Sequence, residues 1–74
     1  MDWNKITSRR TPVRTKDDVR FGYVAAQWKD NLVIVMGKRI SREYIIPKDK
    51  FEKYNGIELF MRIRAEEINS DYQI

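Results

Sequence analysis

Five short apolar stretches, each closed by turn residues, follow one another between residues 13 and 63, and they constrain the fold of this chain more than any other feature. Several of them alternate apolar and polar residues with period two, which is typical of β-strands bounded by turns. None approaches the ~20 apolar residues of a membrane-spanning helix. The pattern therefore predicts a small all-β domain and no membrane partner.

The first half of the pattern predicts a hairpin. Residues 19–28 are the strongest strand candidate, and their alternation places Phe21 and Tyr23 on the same face. Gly22, inside this strand, indicates a bulge, a bend or a close backbone approach. After a short polar turn, the wholly apolar residues 32–36 predict a central strand that is covered on both faces.

The second half predicts a strand, a helical turn and a closing strand. Residues 43–46 form a strand that Pro47 ends, because proline cannot donate to a β-ladder and is preset for the first turn of a helix. One or two helical turns are expected over residues 47–54, followed by an Asn-Gly turn and a last strand over residues 57–64. The alternation of that strand places Ile57, Leu59, Met61 and Ile63 inward and Glu58, Phe60, Arg62 and Arg64 outward.

Positive charge is concentrated at the start of the chain. The sequence has 15 Lys and Arg against 11 Asp and Glu, a net charge of +4, and residues 1–20 carry six of the cations but only three of the acids. Such an asymmetry favours a polyanionic partner, because lysine and arginine release condensed counterions when they neutralise phosphates. The alternatives are a solvated, disordered N-terminus and a segment that Trp3 and Ile6 pin to the barrel.

Two sets of side chains are candidates for a binding surface. Cations that can contact phosphates lie near the N-terminus and in a second basic cluster, and aromatic residues close to cations can stack on bases. The alternative is structural: Trp3, Tyr23 and Tyr44 are more typical of a core or its rim, and the second basic cluster is also compatible with a solvated loop. The candidate nucleic-acid-binding residues are Arg9, Arg10, Arg14, Lys16, Lys38, Arg39 and Arg42, and the candidate interaction-surface residues are Trp3, Trp28, Phe60, Arg62 and Arg64.

The strand pattern resembles a known family. The residues that carry the resemblance are 21–24, 30–35, Gly37, 43–48, Phe51 and 55–59. Their order and spacing are similar to those of a PRC-barrel domain, over about residues 11–63. The resemblance implies a non-catalytic barrel, since relatives include a domain of photosynthetic reaction centres, a domain of a ribosome maturation factor that binds a small-subunit ribosomal protein, and small archaeal dimeric adaptors. The basic N-terminal segment lies mostly outside it.

The expected fold is an SH3-like or PRC-type barrel of about five antiparallel strands, with one short helical turn before the last strand and a basic N-terminal arm. The expected division is an arm over residues 1–12, a barrel over 13–64 and a tail over 65–74, in which residues 65–69 add a helical turn. Residues 11–15 supply a further extended stretch. A chain of this length has room for one modest core.

The same residues favour binding over catalysis. The chain has no Cys and no His, so disulfides, most metal sites and His or Cys catalysis are not expected, and neither is a cofactor or a small-molecule substrate. The favoured function is association with RNA or a ribonucleoprotein particle such as the ribosome, with rRNA or ribosomal proteins as partners. A dimeric adaptor that uses residues 32–36 or Phe60 is the alternative, an enzyme is a distant third, and the expected location is the cytoplasm.

Overall fold

Six strands and two helices make up the part of the chain that the computed structural model describes, residues 1–72. All six strands belong to one sheet, in the order β4-β3-β2-β1-β6-β5. Neighbouring strands are antiparallel except β1 and β6, which are parallel. The elements are α1 (Trp3–Ser8), β1 (Pro12–Arg14), β2 (Arg20–Trp28), β3 (Asn31–Met36), β4 (Arg42–Pro47), a 3₁₀ helix (Lys48–Lys50), β5 (Phe51–Tyr54), β6 (Leu59–Met61) and α2 (Ala65–Asp71).

The sheet is open, so the predicted barrel is wrong. Closure would require the two outermost strands, β4 and β5, to pair, and in the described residues each has only one strand neighbour. Both helices instead contribute to the core: Ile6 of α1 and Ile68 of α2 are fully buried. Trp3 packs edge-on against Phe51 of β5, with ring centroids 6.1 Å apart. Helical side chains thus cover the apolar surface that strand closure would have covered.

The predicted N-terminal arm is a folded helix. The side chain of Asp2 accepts a hydrogen bond from the backbone N–H of Lys5 at 3.2 Å, which caps α1. One turn later Ile6 is completely buried, and its carbonyl accepts a hydrogen bond from the hydroxyl of Thr11. The order of this segment therefore comes from contacts with its own chain.

A bulge at Gly22 reverses the alternation of β2. Pro12 pairs with Tyr23 and Arg14 with Arg20, so one residue of β1 faces two residues of β2. Gly22 has a φ of +65°, and a Cβ built on it would lie 2.1 Å from the carbonyl oxygen of Val35. The predicted bulge or close approach is confirmed. Phe21 points into the core, and Tyr23, which was predicted to share its face, lies on the opposite one.

Several further predictions hold and others fail. The strand around Val13 and the helix after residue 64 are confirmed as β1 and α2. The helical turn after Pro47 lasts only three residues and is followed by a sixth strand, β5. Ile57 is 73% exposed rather than inward, because residues 55–58 form a turn around the side chain of Asn55. Only one face of β3 is fully buried.

The sheet has an inner face that forms the core and an outer face that neither helix covers. The cross-strand pairs of buried residues define the inner face, and Ile6 and Ile68 join the same hydrophobic cluster. Since both helices bury their apolar side chains there, they lie on the inner side. Its strand residues are Val13, Phe21, Val24, Leu32, Ile34, Tyr44, Ile46, Phe51, Leu59 and Met61.

Candidate nucleic-acid interface

The outer face follows from the register of the sheet, because residues paired across strands point to the same side. Tyr23 pairs with Pro12, and Arg14 pairs with Arg20 on one side and Phe60 on the other. Phe60 in turn pairs with Lys53 of β5, so this half of the face carries aromatic and cationic side chains. The other half, over β2, β3 and β4, is mainly apolar, with Ala26, Val33, Val35 and Ile45, and Glu43 pairs with Val35 in the edge strand.

Each of the two aromatic rings has a cation beside it. The guanidinium carbon of Arg10 lies 5.8 Å from the centroid of the Tyr23 ring, and the Lys53 ammonium lies 5.1 Å from that of Phe60. Both rings are half-buried. Arg10, Arg20, Tyr23, Lys53 and Phe60 are referred to below as the aromatic surface. It combines flat apolar rings with positive charge, as sites for single-stranded nucleic acids do.

A groove of about 500 Å³ lies beside Tyr23 on this face. Arg20 and Glu58 supply its polar lining, and the exposed side chain of Ile57 forms part of its apolar wall. Pro12, Val13 and Gly22 complete the lining of the groove. A base stacked on Tyr23 would therefore have room beside the ring.

Arg14 lies in the middle of the aromatic surface but is already paired. Its Nε donates to Oε2 of Glu58 at 3.0 Å, and Nη1 lies 3.3 Å from the carboxylate of Asp18. Hydrogen bonding to Glu58 is the main reason that the pKa of Arg14 is raised above its usual value. Of the predicted phosphate ligands, Arg14 is the one that forms an ion pair within residues 1–72.

The other predicted residues are dispersed. Arg9 is exposed near the end of α1, and Lys16 is exposed just after β1. Arg62 and Arg64 are exposed between β6 and α2.

Trp3 packs against the core, with the Lys48 ammonium 5.6 Å from its ring. Trp28 is 51% exposed beside Lys29, at the far end of β2. Lys38 and Arg39 lie in the loop between β3 and β4, and Arg42 lines a second cavity on the inner side of the sheet.

The structure thus brings Arg10, Arg14 and Phe60 together on one face but leaves most of the predicted set elsewhere. Sequence reasoning missed Arg20, Tyr23 and Lys53. The signal for Tyr23 was available, because a glycine bulge shifts the alternation by one residue and turns the following side chain outward. Lys53 was missed because a helical turn was expected in place of β5.

Comparisons with models of protein families, with curated proteins and with solved structures find no match to this chain. The resemblance to PRC-barrel domains therefore stays a prediction. In the part of the chain that the structure describes, neither helix has the length and apolar character needed to span a bilayer.

Proposed function

We propose that the protein is a non-enzymatic binding module for single-stranded RNA, in a cytoplasmic ribonucleoprotein context such as the ribosome, and that RNA binds across the aromatic surface. The observation that carries this proposal is the placement of two aromatic rings, each beside a cation, on the face of the sheet that neither helix covers. RNA is recognised mainly through unstacked bases that stack on such rings.

The architecture favours binding of single-stranded over double-stranded nucleic acid. Sheet faces that carry exposed aromatics stack two or three splayed bases in RNA-recognition domains, and this is an analogy of surface, not of fold. Duplex DNA, by contrast, is read by a helix or a two-stranded ribbon that enters the major groove. In the described residues, both helices have their buried faces on the inner side of the sheet.

The charges allow a quantitative expectation. Three cations of the aromatic surface, Arg10, Arg20 and Lys53, take part in no ion pair within residues 1–72. Each phosphate neutralised on a single strand contributes about −0.7 to the slope of log affinity against log salt, so three contacts predict a slope of about −2. Stacking on each ring contributes about 1–3 kcal/mol more, and this part is independent of salt.

The test measures the fluorescence anisotropy of a short labelled single-stranded RNA of mixed sequence at several salt concentrations. The double variant R10Q/R20Q removes two cations from the aromatic surface and should reduce the slope by about 1.4. The control K38Q/R39Q removes the same charge from the loop between β3 and β4 and should leave the slope unchanged. Phe60→Leu keeps an apolar side chain but no stacking ring, and it should weaken binding at all salt concentrations.

Equal losses in the two double variants would mean that binding follows net charge alone, and they would contradict the assignment to this face. Binding of the wild-type protein to duplex DNA as tightly as to single-stranded RNA would contradict the substrate class. An absence of salt-dependent binding to the RNA would contradict the proposed function itself.

A second candidate function is a homodimeric adaptor, which the apolar half of the outer face favours. Val33 pairs with both Ala26 and Ile45, and Val35 pairs with Tyr23, so apolar side chains form a continuous patch on this half. Such patches are common at protein interfaces. Sedimentation equilibrium over a range of concentrations tests this: a dimer that Val33→Asp converts to a folded monomer supports it, and a monomer at all concentrations contradicts it.

A further inference from the structure

Exposed apolar side chains are concentrated around a cavity on the inner side of the sheet. The cavity has a volume of about 400 Å³ and lies between the β3–β4 hairpin, the start of β2 and α2. Val19, Met36 and Ile40 line it and are 43%, 36% and 85% exposed. These are three of the six large hydrophobic side chains that are exposed in residues 1–72. We call it the hairpin cavity.

One cation lines this cavity and two more lie in the loop next to it. Arg42 lines it directly, and Lys38 and Arg39 lie in the adjoining loop. Both ion pairs within residues 1–72 involve Arg14, so none of these three cations has an acidic partner there. Glu43 follows Arg42 in sequence but pairs with Val35 on the outer face, away from the cavity. Arg42 is the charged residue among those that line the cavity, and Glu66 and Glu67 of α2 are not among them, so the lining favours a negatively charged group.

The cavity adjoins an unpaired strand edge. In the described sheet β4 pairs with β3 alone, so its other edge presents free backbone N–H and C=O groups. A peptide that added to this edge would place alternate side chains on the inner side, next to Arg42 and Tyr44. Pro47 has no N–H and ends the usable edge.

We propose that β4 and the hairpin cavity form a docking site for an acidic peptide segment of a partner protein. The segment adds to β4 as an extra strand and inserts an aliphatic side chain into the cavity. Its carboxylates meet Lys38, Arg39 and Arg42. Such a site is separate from the aromatic surface, so the protein can connect RNA to a protein partner.

A peptide suits this site better than a nucleic acid or a second copy of this chain. Phe21 and Tyr44 are only 2% and 1% exposed, so neither ring is available to stack on a base. In a second copy of this chain, antiparallel pairing of two β4 strands would bring the loop cations of one copy towards the 3₁₀ helix of the other, where two lysines, Lys48 and Lys50, outnumber the single acid Asp49. Like charges placed together in this way oppose association.

The test selects binders to the wild-type protein from a phage-displayed library of random peptides. Selected sequences should combine acidic residues with one aliphatic residue at a constant spacing. The tightest selected peptide, synthesised and labelled, should lose about tenfold in affinity with K38Q/R39Q and about tenfold with Ile40→Ser, the amounts expected for contacts near the centre of an interface. Methylation of the alternate peptide N–H groups that face β4 should weaken binding because it blocks strand addition, whereas methylation of the other alternate set, which points away from β4, should not.

R10Q/R20Q is the matched control, since it removes the same charge from the opposite face and should leave peptide affinity unchanged. All the substituted side chains are exposed or on the outer face, and circular dichroism checks that each variant is folded. A selection without acidic consensus, an affinity insensitive to Ile40→Ser, or equal losses in both double variants would overturn the proposal. A stable dimer in which the β4 amide protons are protected from exchange would also overturn it, in favour of a second copy.

Discussion

Arg14 and Glu58 form an ion pair that links the two parallel strands in the middle of the sheet. The Nε of Arg14 donates to Oε2 of Glu58 at 3.0 Å, and their side chains are only 20% and 22% exposed. The parallel register places Val13 beside Leu59, so the pair sits where β1 meets the start of β6. The ion pair also compensates the cation that lies beside Phe60 on the aromatic surface.

Glu58→Gln should strengthen RNA binding. The substitution keeps the size of the side chain but removes a negative charge. Arg14 then keeps an ion pair only with Asp18, whose side chain is 80% exposed, so its guanidinium becomes more available to phosphate. One further phosphate contact makes the slope of log affinity against log salt steeper by about 0.7. Fluorescence anisotropy with the same labelled RNA measures both the affinity and the slope.

The control for this prediction is Glu52→Gln, which makes the same charge change at an exposed bulge position of β5. If both variants gain equally, the effect comes from net charge and not from release of Arg14. A weaker affinity in folded Glu58→Gln would mean that the ion pair itself positions the surface for RNA.

Ile6→Ala should destabilise the whole domain. Ile6 is completely buried although it lies in the segment that charge alone identified as an arm. Truncation of a buried isoleucine to alanine costs about 2–5 kcal/mol, which is a large part of the stability of a small domain. Thermal unfolding followed by circular dichroism should show a fall in Tm, and exposed Lys5→Ala should not. Equal melting temperatures would mean that α1 does not pack in the core.

Periodicity was enough to find most strands but not to predict how they assemble. The strand around Val13, the hairpin of β2 and β3 and the helix after residue 64 all follow from local patterns. Barrel closure depends on whether β4 and β5 pair, and no local pattern in either strand encodes that contact. The capping residue Asp2 and the spacing of Trp3 and Ile6 indicate a helix, but the positive charge of the segment led to the prediction of an arm.

The binding surface was harder to predict because it depends on contacts between residues that are distant in sequence and on a bulge in β2. Phe60 was correctly placed on the outer side of the last strand, since no bulge interrupts the alternation there. Tyr23 was placed on the same face as Phe21, because strict alternation does not account for the bulge at Gly22. Arg14 was counted as a free cation because its partner Glu58 is 44 residues away in sequence.

Gly22→Ala should be more destabilising than Gly56→Ala. Both glycines have positive φ, +65° and +93°, so alanine is strained at either position. At Gly22 the new methyl group would also meet the carbonyl oxygen of Val35 at 2.1 Å, whereas nothing lies within 4 Å at Gly56. We expect about 1–2 kcal/mol at Gly56 and about 2–4 kcal/mol at Gly22.

Chemical denaturation measures the free energy of unfolding of both variants. Because both substitutions strain the backbone, the difference between them is the cost of the steric contact at Gly22. Gly22→Ala should also weaken RNA binding in the fraction that remains folded, since the bulge turns Tyr23 outward. Equal destabilisation of the two variants would show that β2 and β3 can move apart at the bulge without cost.

Asp17→Asn should reduce the dependence of stability on acid pH. The carboxylate of Asp17 accepts hydrogen bonds from the hydroxyl of Thr15 and from the N–H of Ala65, so it ties the turn after β1 to the start of α2. These contacts, led by Thr15, lower the pKa of Asp17 below its ordinary value of 3.8. A lowered pKa in the folded state gives stability that is complete above about pH 4 and is lost as the pH falls through the folded pKa.

The wild-type protein should therefore be more stable than Asp17→Asn at about pH 7, and the two should converge as the pH approaches the folded pKa from above. Melting temperatures of both proteins between about pH 7 and pH 2 measure the effect, with exposed Asp49→Asn as the control for loss of one negative charge. Equal melting temperatures of wild type and Asp17→Asn at every pH would mean that the side chain stabilises the turn only as a hydrogen-bond acceptor, since an amide keeps the acceptor oxygen. In that case the charge of Asp17 would contribute nothing to the join between β1 and α2.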